Sequence, residues 1–387
     1  MSKVKEALWE KQNLALRHPS ELFGTSFKNA GITKQTLSFK ASASFTQLLH
    51  KLKITLIVSR EYENLVLALN APNAKKIKQS FFHLPHPSGI AVDRTKNIMY
   101  VAATRNPNQV IEFKVSTQSL NRLKVPAVAP KILIPARTKY YPGQYYFHDL
   151  VLNKGKLYAN SVGMNAIVPI DFSTTEVEKP IWWPKCIEQK GKPDTSVNYI
   201  QLNSIAFGKD LKSSFFSASG TKIGSTLPGD LDYPVDKLGA IFSGKTREPI
   251  GFGLTRPHSA RLHKGKIWVA NSGYGEVGYF KNKQFVPVFK FNGWTRGLCF
   301  IDSILFVAIS RVLPRFRHYA PGIKSKTQTC AVVAIDTIKK EKIGEIEFPY
   351  GNQIFAIDYF NSDKCEGFAF TSVEKSSLET DIFSVSL

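Results

Sequence analysis

PHSARLHKGKIWVANSGYGEVG, from Pro257 to Gly278, decides the fold. A small or polar opening leads into a short strand, a Lys-Gly turn and a second apolar strand bounded by turn residues. The same phrase returns as PSGIAVDRTKNIMYVAAT from Pro87, FHDLVLNKGKLYANS from Phe147 and LNSIAFGKDLKSSFFSAS from Leu202. Two further copies are TRGLCFIDSILFVAIS from Thr295 and NQIFAIDYFNSDKCEGFAFTS from Asn352. Anchored on Ser88, His148, Asn203, His258, Arg296 and Gln353, the copies are about 60, 55, 55, 38 and 57 residues apart, close to the ~40–50 of propeller blades. Six such units predict an all-β, six-bladed β-propeller.

A propeller gathers equivalent positions of its blades at one place. The start of each innermost strand faces the mouth of the central channel, and here those starts carry His148, Asn203, His258 and Arg296. The loop after each second strand opens on the same face, which adds Asn160, Ser161, Asn271 and Ser272. A polar cluster at one mouth is the expectation.

Composition bounds the class. The chain has 387 residues, 43% hydrophobic and 12% aromatic, enough for a packed core and contrary to global disorder. One propeller, 53–387, preceded by a helical extension, 1–52, uses up that length. The opening MSKVKEALWEKQ lacks the apolar run of a secretory signal, and stretches such as ITLIVS before Arg60 fall far short of the ~20 residues of a membrane span; the expected setting is cytoplasmic, with no membrane span. Cys186, Cys299, Cys330 and Cys365 are scattered without CxxC spacing, which reads as free thiols in a reducing compartment. The formal charge is +22, a surplus that can mark a nucleic-acid or anionic partner. Ten basic and three acidic residues precede Asn64's strand through Arg60, and the remaining excess is spread along the blades. Without a dense basic run or a recognition signature, this weighs against nucleic acid and for a lysine-rich surface.

Along the chain, Lys3 to Arg17 reads as a helix and Ser44 to Lys51 as a second, with Ser42 or Ser44 as N-cap; Gly24 and Gly31 lie between them. ITLIVS and NLVLALN then read as outer strands of the last blade, paired with C-terminal strands so that the ring has no open edge. On that reading, removing the last dozen residues, through IFSVSL, unfolds the ring. Long insertions stand at Val125–Gln144, Pro180–Asn198, Gly220–Pro249 and Arg311–Lys326, and such loops often line sites. The last holds Arg311, Arg315, Arg317, Lys324 and Lys326 with no acid, an anion-gripping composition.

The mouth residues admit several chemistries. His148 and His258, on non-adjacent blades, are candidate catalytic acid/base groups and candidate ligands of a divalent metal, with Gln201 as a third ligand. The opposing reading is that each histidine fills the channel, bonded to a neighbouring blade. Asp149, Asn203, Ser259, Arg296, Asn160 and Asn271 are candidate ligand-binding groups: amides suit hydroxyls and the guanidinium fork suits carboxylate, phosphate or sulfate. Against that stands a salt bridge from Arg296 to Asp149. Trp182-Trp183 is a sugar-stacking platform if it reaches the mouth, and blade packing otherwise. NSGYGEVG lacks the Lys-Ser/Thr of a P-loop and reads as a hairpin turn. No GxSxG elbow appears, so a nucleophilic hydrolase has no support.

At HDL (His148–Leu150), LNSIA (Leu202–Ala206), PHSARLHKGKIWVANSGYGEVG and TRGL (Thr295–Leu298), the chain resembles a bacterial family of conserved hypothetical proteins, a propeller-like domain of unknown function. The resemblance runs from about Ser44 to Phe360. It implies the fold and assigns no activity. Members of that family carry His-Leu-Asn-Gly where this chain has Gln201, Leu202, Asn203 and Ser204. The departure removes a third axial histidine, for which His86, just before the first phrase, is a candidate replacement.

Three functions follow as expectations. The first is a propeller that binds a small anionic or glycan-like ligand at its mouth. The second is a metal-assisted hydrolase, lactonase or isomerase using His148 and His258; the third is a protein-interaction scaffold. The lack of a carboxylate set and the Gln201 departure favour binding.

Overall fold

The computed structural model describes residues 3–7, 32–105, 108–116, 118–119, 131–324, 328–371 and 385–386. The chain winds six antiparallel sheets around an axis, each beginning with its innermost strand. The innermost strands are Pro87–Asp93, Phe147–Asn153, Leu202–Ala206, Pro257–His263, Trp294–Ile301 and Ile354–Asn361. Each packs against the next, and the last packs against the first. This is the six-bladed β-propeller that the six phrases predict.

The blades differ in how they finish. The third and fourth have four consecutive strands, whereas the second has three, its outer edge met only by an isolated bridge between Ile167 and Trp182. In the sixth, the C-terminal strand Ile354–Asn361 pairs with Ile54–Arg60 from the N-terminal part, followed by Leu65–Asn73 and Lys76–His83. ITLIVS is thus the second strand of this blade rather than an outer one. The GFAF stretch of the sixth phrase does not fill that place: Gly367–Phe368 pairs in parallel with Ile132–Leu133 at the edge of the first blade. Most of the last dozen residues lie outside the described residues; Val385–Ser386 pairs with Gln118–Ser119 and takes no part in closing the ring.

Ser42 caps the helix Ala43–Leu52, its hydroxyl accepting from Phe45 N at 3.1 Å. The helix lays Phe45 and Leu49 on a core that includes Leu56, Leu67, Phe306 and Ile346, so the burial of its apolar stripe fixes it on the propeller. Lys40–Ala41 adds a short strand to the outer edge of the fifth blade. The helix expected over Lys3–Arg17 is present over 3–7, and the rest of it, with Gly24 and Gly31, lies outside the described residues.

Two devices repeat around the ring and aim the channel residues. Each innermost strand carries a β-bulge near its start, at Pro87/Ile90, Phe147/Leu150, Leu202/Ser204, His258/Arg261 and Arg296/Cys299, and opposite Val58/Arg60 in the sixth blade. An extra residue bends the strand and turns a side chain that regular pleating would send elsewhere. Serine hydroxyls then stitch neighbouring blades: Ser88 Oγ donates to Phe147 O at 2.6 Å, while Ser204 Oγ and Ser259 Oγ accept from Ala260 N at 2.7 Å and Gly297 N at 2.9 Å. The inner strands approach so closely that a Cβ on Gly89 would lie 2.6 Å from Leu150 N, which only glycine allows.

Candidate functional site

Immediately before four of the innermost strands stands a non-glycine residue in the left-handed region: His86 (φ 41°), Tyr146 (46°), Gln201 (51°) and Arg256 (49°). Such backbone costs ~1–2 kcal/mol per residue, and it is held here by asparagine carboxamides. Asn64 Oδ1 accepts from His86 N at 2.9 Å, Asn108 Oδ1 from Tyr146 N at 2.9 Å and Asn198 Oδ1 from Gln201 N at 2.8 Å, while Asn271 Oδ1 accepts from Thr255 N, just before Arg256, at 2.7 Å. The twist turns Tyr146, Gln201 and Arg256 into a cavity of about 260 Å³ at the channel mouth.

The floor of that cavity comes from the bulged strands. His148, His258, Arg296 and Phe355 line it. The His148 and His258 rings stack with centroids 6.2 Å apart, and His148 meets the Phe355 ring edge-on at 5.0 Å. Arg296 lies with its Cζ 4.2 Å above the Phe355 ring and donates from Nη2 to His258 Nε2 at 2.7 Å. Since a guanidinium only donates, His258 Nε2 is the acceptor and its proton sits on Nδ1. That Nδ1–H faces Arg256 O at 2.9 Å and Ser272 Oγ at 3.0 Å.

Burial governs the electrostatics. Desolvation, with the Arg296 charge adding to it, holds both His148 and His258 well below the usual imidazole range, so both are neutral at physiological pH. Arg296, 7% exposed, is pushed down to about 10 by the same desolvation, opposed by Glu61 and Tyr62. Its Nε and Nη1 have no hydrogen-bond acceptor among the described residues. Arg256, 1% exposed, is also lowered to about 10; it donates to the Gln201 side chain and to Pro228 O and stacks on Tyr319 at 3.8 Å. Glu61 is raised, because desolvation outweighs the nearby Arg105, Arg296 and Arg315 charges. Arg105 Nε stands 3.7 Å from its Oε1.

The insertions build the walls. Asn198 comes from the Pro180–Asn198 segment, Pro228 and Gly229 from the next, and Arg311, Leu313, Phe316 and Tyr319 from the last. The last two meet over the mouth where Tyr319 Oη donates to Pro228 O at 3.3 Å. Of the basic run expected to grip an anion, Arg311 lines this cavity, whereas Arg315 packs over Tyr62 and Phe316. The first insertion contributes none of the lining, and its residues 125–130 lie outside the described ones.

Other expected site residues are placed elsewhere. Asp149 is paired bidentately with Arg261, at 2.6 and 3.0 Å, so the bridge from Arg296 to Asp149 does not form. Asn203 donates to Ser219 Oγ and Pro257 O, Asn160 to Leu202 O, and Asn271 to Glu276 while accepting from Thr255 N. Ser259 serves the inter-blade bond to Gly297. None of these five lines the cavity. His86 is buried outside the lining as well. Trp182 packs on Phe216 at 3.9 Å and donates to Gly244 O, which makes it blade packing. NSGYGEVG is a tight turn between strands, with Gly275 at φ 66°.

Arg256, Arg105, Glu61, Tyr62, Phe355 and Tyr319 escaped the sequence reading. A signal for most of them existed. In the first, second, fifth and sixth blades the loop after the second strand does line the mouth cavity, but the residues that reach it lie just past the strand ends: Arg105, Val162, Arg311 and, once Ile54–Arg60 is recognised as a second strand, Glu61 and Tyr62. In the sixth blade Phe355, two residues beyond the anchor Gln353, lies against His148 and Arg296.

A metal would need groups this cavity does not gather. His258 Nε2 accepts from Arg296, and the Gln201 side chain accepts from Arg256. Among the described residues no cluster of three or more His, Cys, Asp or Glu is placed to hold an ion, so the donor set does not fit a divalent metal. Among them, too, no helix is long and apolar enough to cross a membrane.

Solved structures with similar folds are remote in sequence. The crystal structure of the nidogen/laminin complex contains a chain that is 8% identical, with a TM-score of 0.53, covering 80% of this chain and 99% of that one; the likeness supports the propeller fold alone. The β-propeller domain of Myceliophteria thermophila Cps50 (Swd1) is 9% identical, with a TM-score of 0.40 over 82% of this chain and 97% of its own. A luciferin-regenerating enzyme is 11% identical, with a TM-score of 0.41 over 71% and 76%. No curated protein matches the sequence. Residues 43–367 match a domain of unknown function, DUF4915, and the chain, with its six blades and its mouth walled by insertions, belongs to that family.

Proposed function

We propose that this propeller binds a small anionic ligand in the cavity at its channel mouth. The observation that carries the reading is Arg296: a buried guanidinium hydrogen-bonded to a neutral imidazole, with no acceptor for its Nε and Nη1 among the described residues. Burying a cation without acceptors for all its donors is costly, even with the Glu61 carboxyl nearby, and a bound anion offsets that cost. Arg256 and Arg311 on the same walls extend the positive field, against the one carboxylate of the lining, Glu61. The aromatic walls would serve a glycan-like acid equally as stacking surfaces. The test is a thermal-shift and calorimetric screen of acetate, inorganic phosphate, sulfate, glucuronate and arylalkanoates against wild type and Arg296→Gln. Saturable binding that falls ~100-fold in the variant supports the site; the absence of binding by every anion sinks it.

A second reading is acid/base catalysis on the bound anion. It is favoured by His148, a neutral imidazole in the cavity lining with Asn203 beside it. The metal-assisted version of that enzyme has no support from the donor set. Turnover of a bound acid that disappears in His148→Gln, with binding retained, would establish this reading over simple binding.

A further inference from the structure

The geometry points to a ligand class: we infer that the cavity takes the carboxylate of an amphipathic acid, with a flat apolar body, rather than a phosphate or a hydrophilic anion. This rests on the anion reading above and narrows it. Phe355 covers one face of the Arg296 guanidinium at 4.2 Å, and Trp294 lies 6.0 Å from its Cζ. The cation is therefore approached in its own plane, where the two oxygens of a carboxylate meet a guanidinium fork.

The neighbours of that fork argue against a phosphate. A phosphate presents three strong acceptor oxygens and up to two charges, so it needs donors on several sides. Here His258 Nε2 is itself an acceptor, committed to Arg296, and His148 is neutral and sits edge-on against Phe355. Arg105 faces Glu61, Arg256 is drawn toward Gln201 and Pro228, and Arg311, the other cation of the lining, has the Glu63 charge near it. One planar monoanion matches what remains.

The rest of the cavity calls for carbon. Tyr62, Trp294, Leu313, Phe316 and Phe355 supply its apolar walls. Its volume of about 260 Å³ lies just below the ~300–1,000 Å³ typical of ligand sites, which suits a ring with a short acidic arm. A free acetate would leave the aromatic walls unfilled, and an uncharged amide of the same shape would leave the buried cation uncompensated.

The experiment is calorimetry on the full chain with 3-phenylpropionate, 3-phenylpropanamide, acetate and inorganic phosphate, with Phe355→Leu and Arg296→Lys beside wild type. The expected result is that 3-phenylpropionate binds at least ~30-fold more tightly than the amide and than acetate. Phe355→Leu should weaken 3-phenylpropionate by ~5–10-fold, a larger factor than it costs acetate, and Arg296→Lys, which keeps charge but loses the fork, should weaken it by ~10-fold or more. Phosphate or acetate binding as tightly as 3-phenylpropionate would overturn the carboxylic-acid class while leaving an anion site standing. Binding of the amide as tight as that of the acid would overturn it too, and would take the anion reading with it. Near-ultraviolet circular dichroism of each variant confirms that a loss of binding is read on folded protein.

Discussion

Arg296 Nη2 donates to His258 Nε2 at 2.7 Å, so a cation and a neutral imidazole from adjacent blades are hydrogen-bonded at the floor of the channel mouth. The pair commits His258 Nε2, one of the nitrogens a metal would need, to Arg296. It also makes the two residues interdependent: a charged His258 could no longer accept from Arg296 and would face its positive charge directly.

The first prediction concerns stability against function at Arg296. Removing an incompletely paired buried cation is often neutral or stabilising by ~1–4 kcal/mol. Arg296→Met is expected to melt no lower than wild type, and up to a few degrees higher, while anion binding is lost. A loss of more than ~3 kcal/mol in denaturant unfolding would show that Arg296 is a structural strut.

The two histidines predict acid lability. Both have folded-state values well below the ordinary 6.5, so below that pH the unfolded chain takes up protons that the native state refuses. The stability they contribute is complete above about pH 6.5 and is lost as pH falls, at up to ~1.4 kcal/mol per pH unit for each group. The slope of unfolding free energy between pH 6.5 and 5 should flatten in His148→Gln and in His258→Gln. Identical slopes in wild type and both variants would contradict the assignment.

Asp149 separates architecture from site. Its bidentate partner is Arg261, and it also accepts from Ile205 N at 3.0 Å, which ties the second blade to the third and fourth. Asp149→Asn is expected to cost ~2–4 kcal/mol, somewhat less than a wholly buried pair because part of Arg261 is exposed. Anion affinity should stay within ~2-fold of wild type at temperatures where the variant is folded. An unaltered unfolding midpoint would refute the bridging role.

Thiol chemistry offers a third test of the packing. Burial pushes Cys186 up to about 11 and Cys365 up to about 12, and raises Cys299 and Cys330 further. Native protein at pH 8 should therefore react slowly with iodoacetamide, Cys186 first because it alone is half-exposed. Peptide mass spectrometry showing early labelling of Cys299 or Cys330 would mean that the inner blades open readily.

Ring closure gives the last. A chain ending at residue 353 lacks the innermost strand of the sixth blade and is expected not to fold, whereas one ending at residue 371 keeps the pairing of Ile354–Asn361 with Ile54–Arg60 and should fold. Soluble, cooperatively melting protein from the shorter chain would disprove closure by that strand.

The repeated phrase determined the blade number, the innermost strands and the convergence of His148, His258 and Arg296, because strand periodicity and turn residues are local and a closed ring of repeats leaves few arrangements. It misjudged the sixth blade, where GFAF has the right pattern but Ile54–Arg60 takes the place beside Ile354–Asn361; apolar alternation marks a strand without choosing its partner. Tertiary structure alone decided which polar residues face the mouth. Bulges and left-handed residues re-aim side chains by local backbone twist, so Arg256 and Gln201 turn inward while Asn160, Asn203 and Asn271 are spent on backbone groups of the blades. The physical reason is that a buried polar group must be satisfied by whatever the folded chain brings near it, and for Asn160, Asn203 and Arg256 that neighbour lies on the adjoining blade, 42, 54 and 55 residues away in sequence.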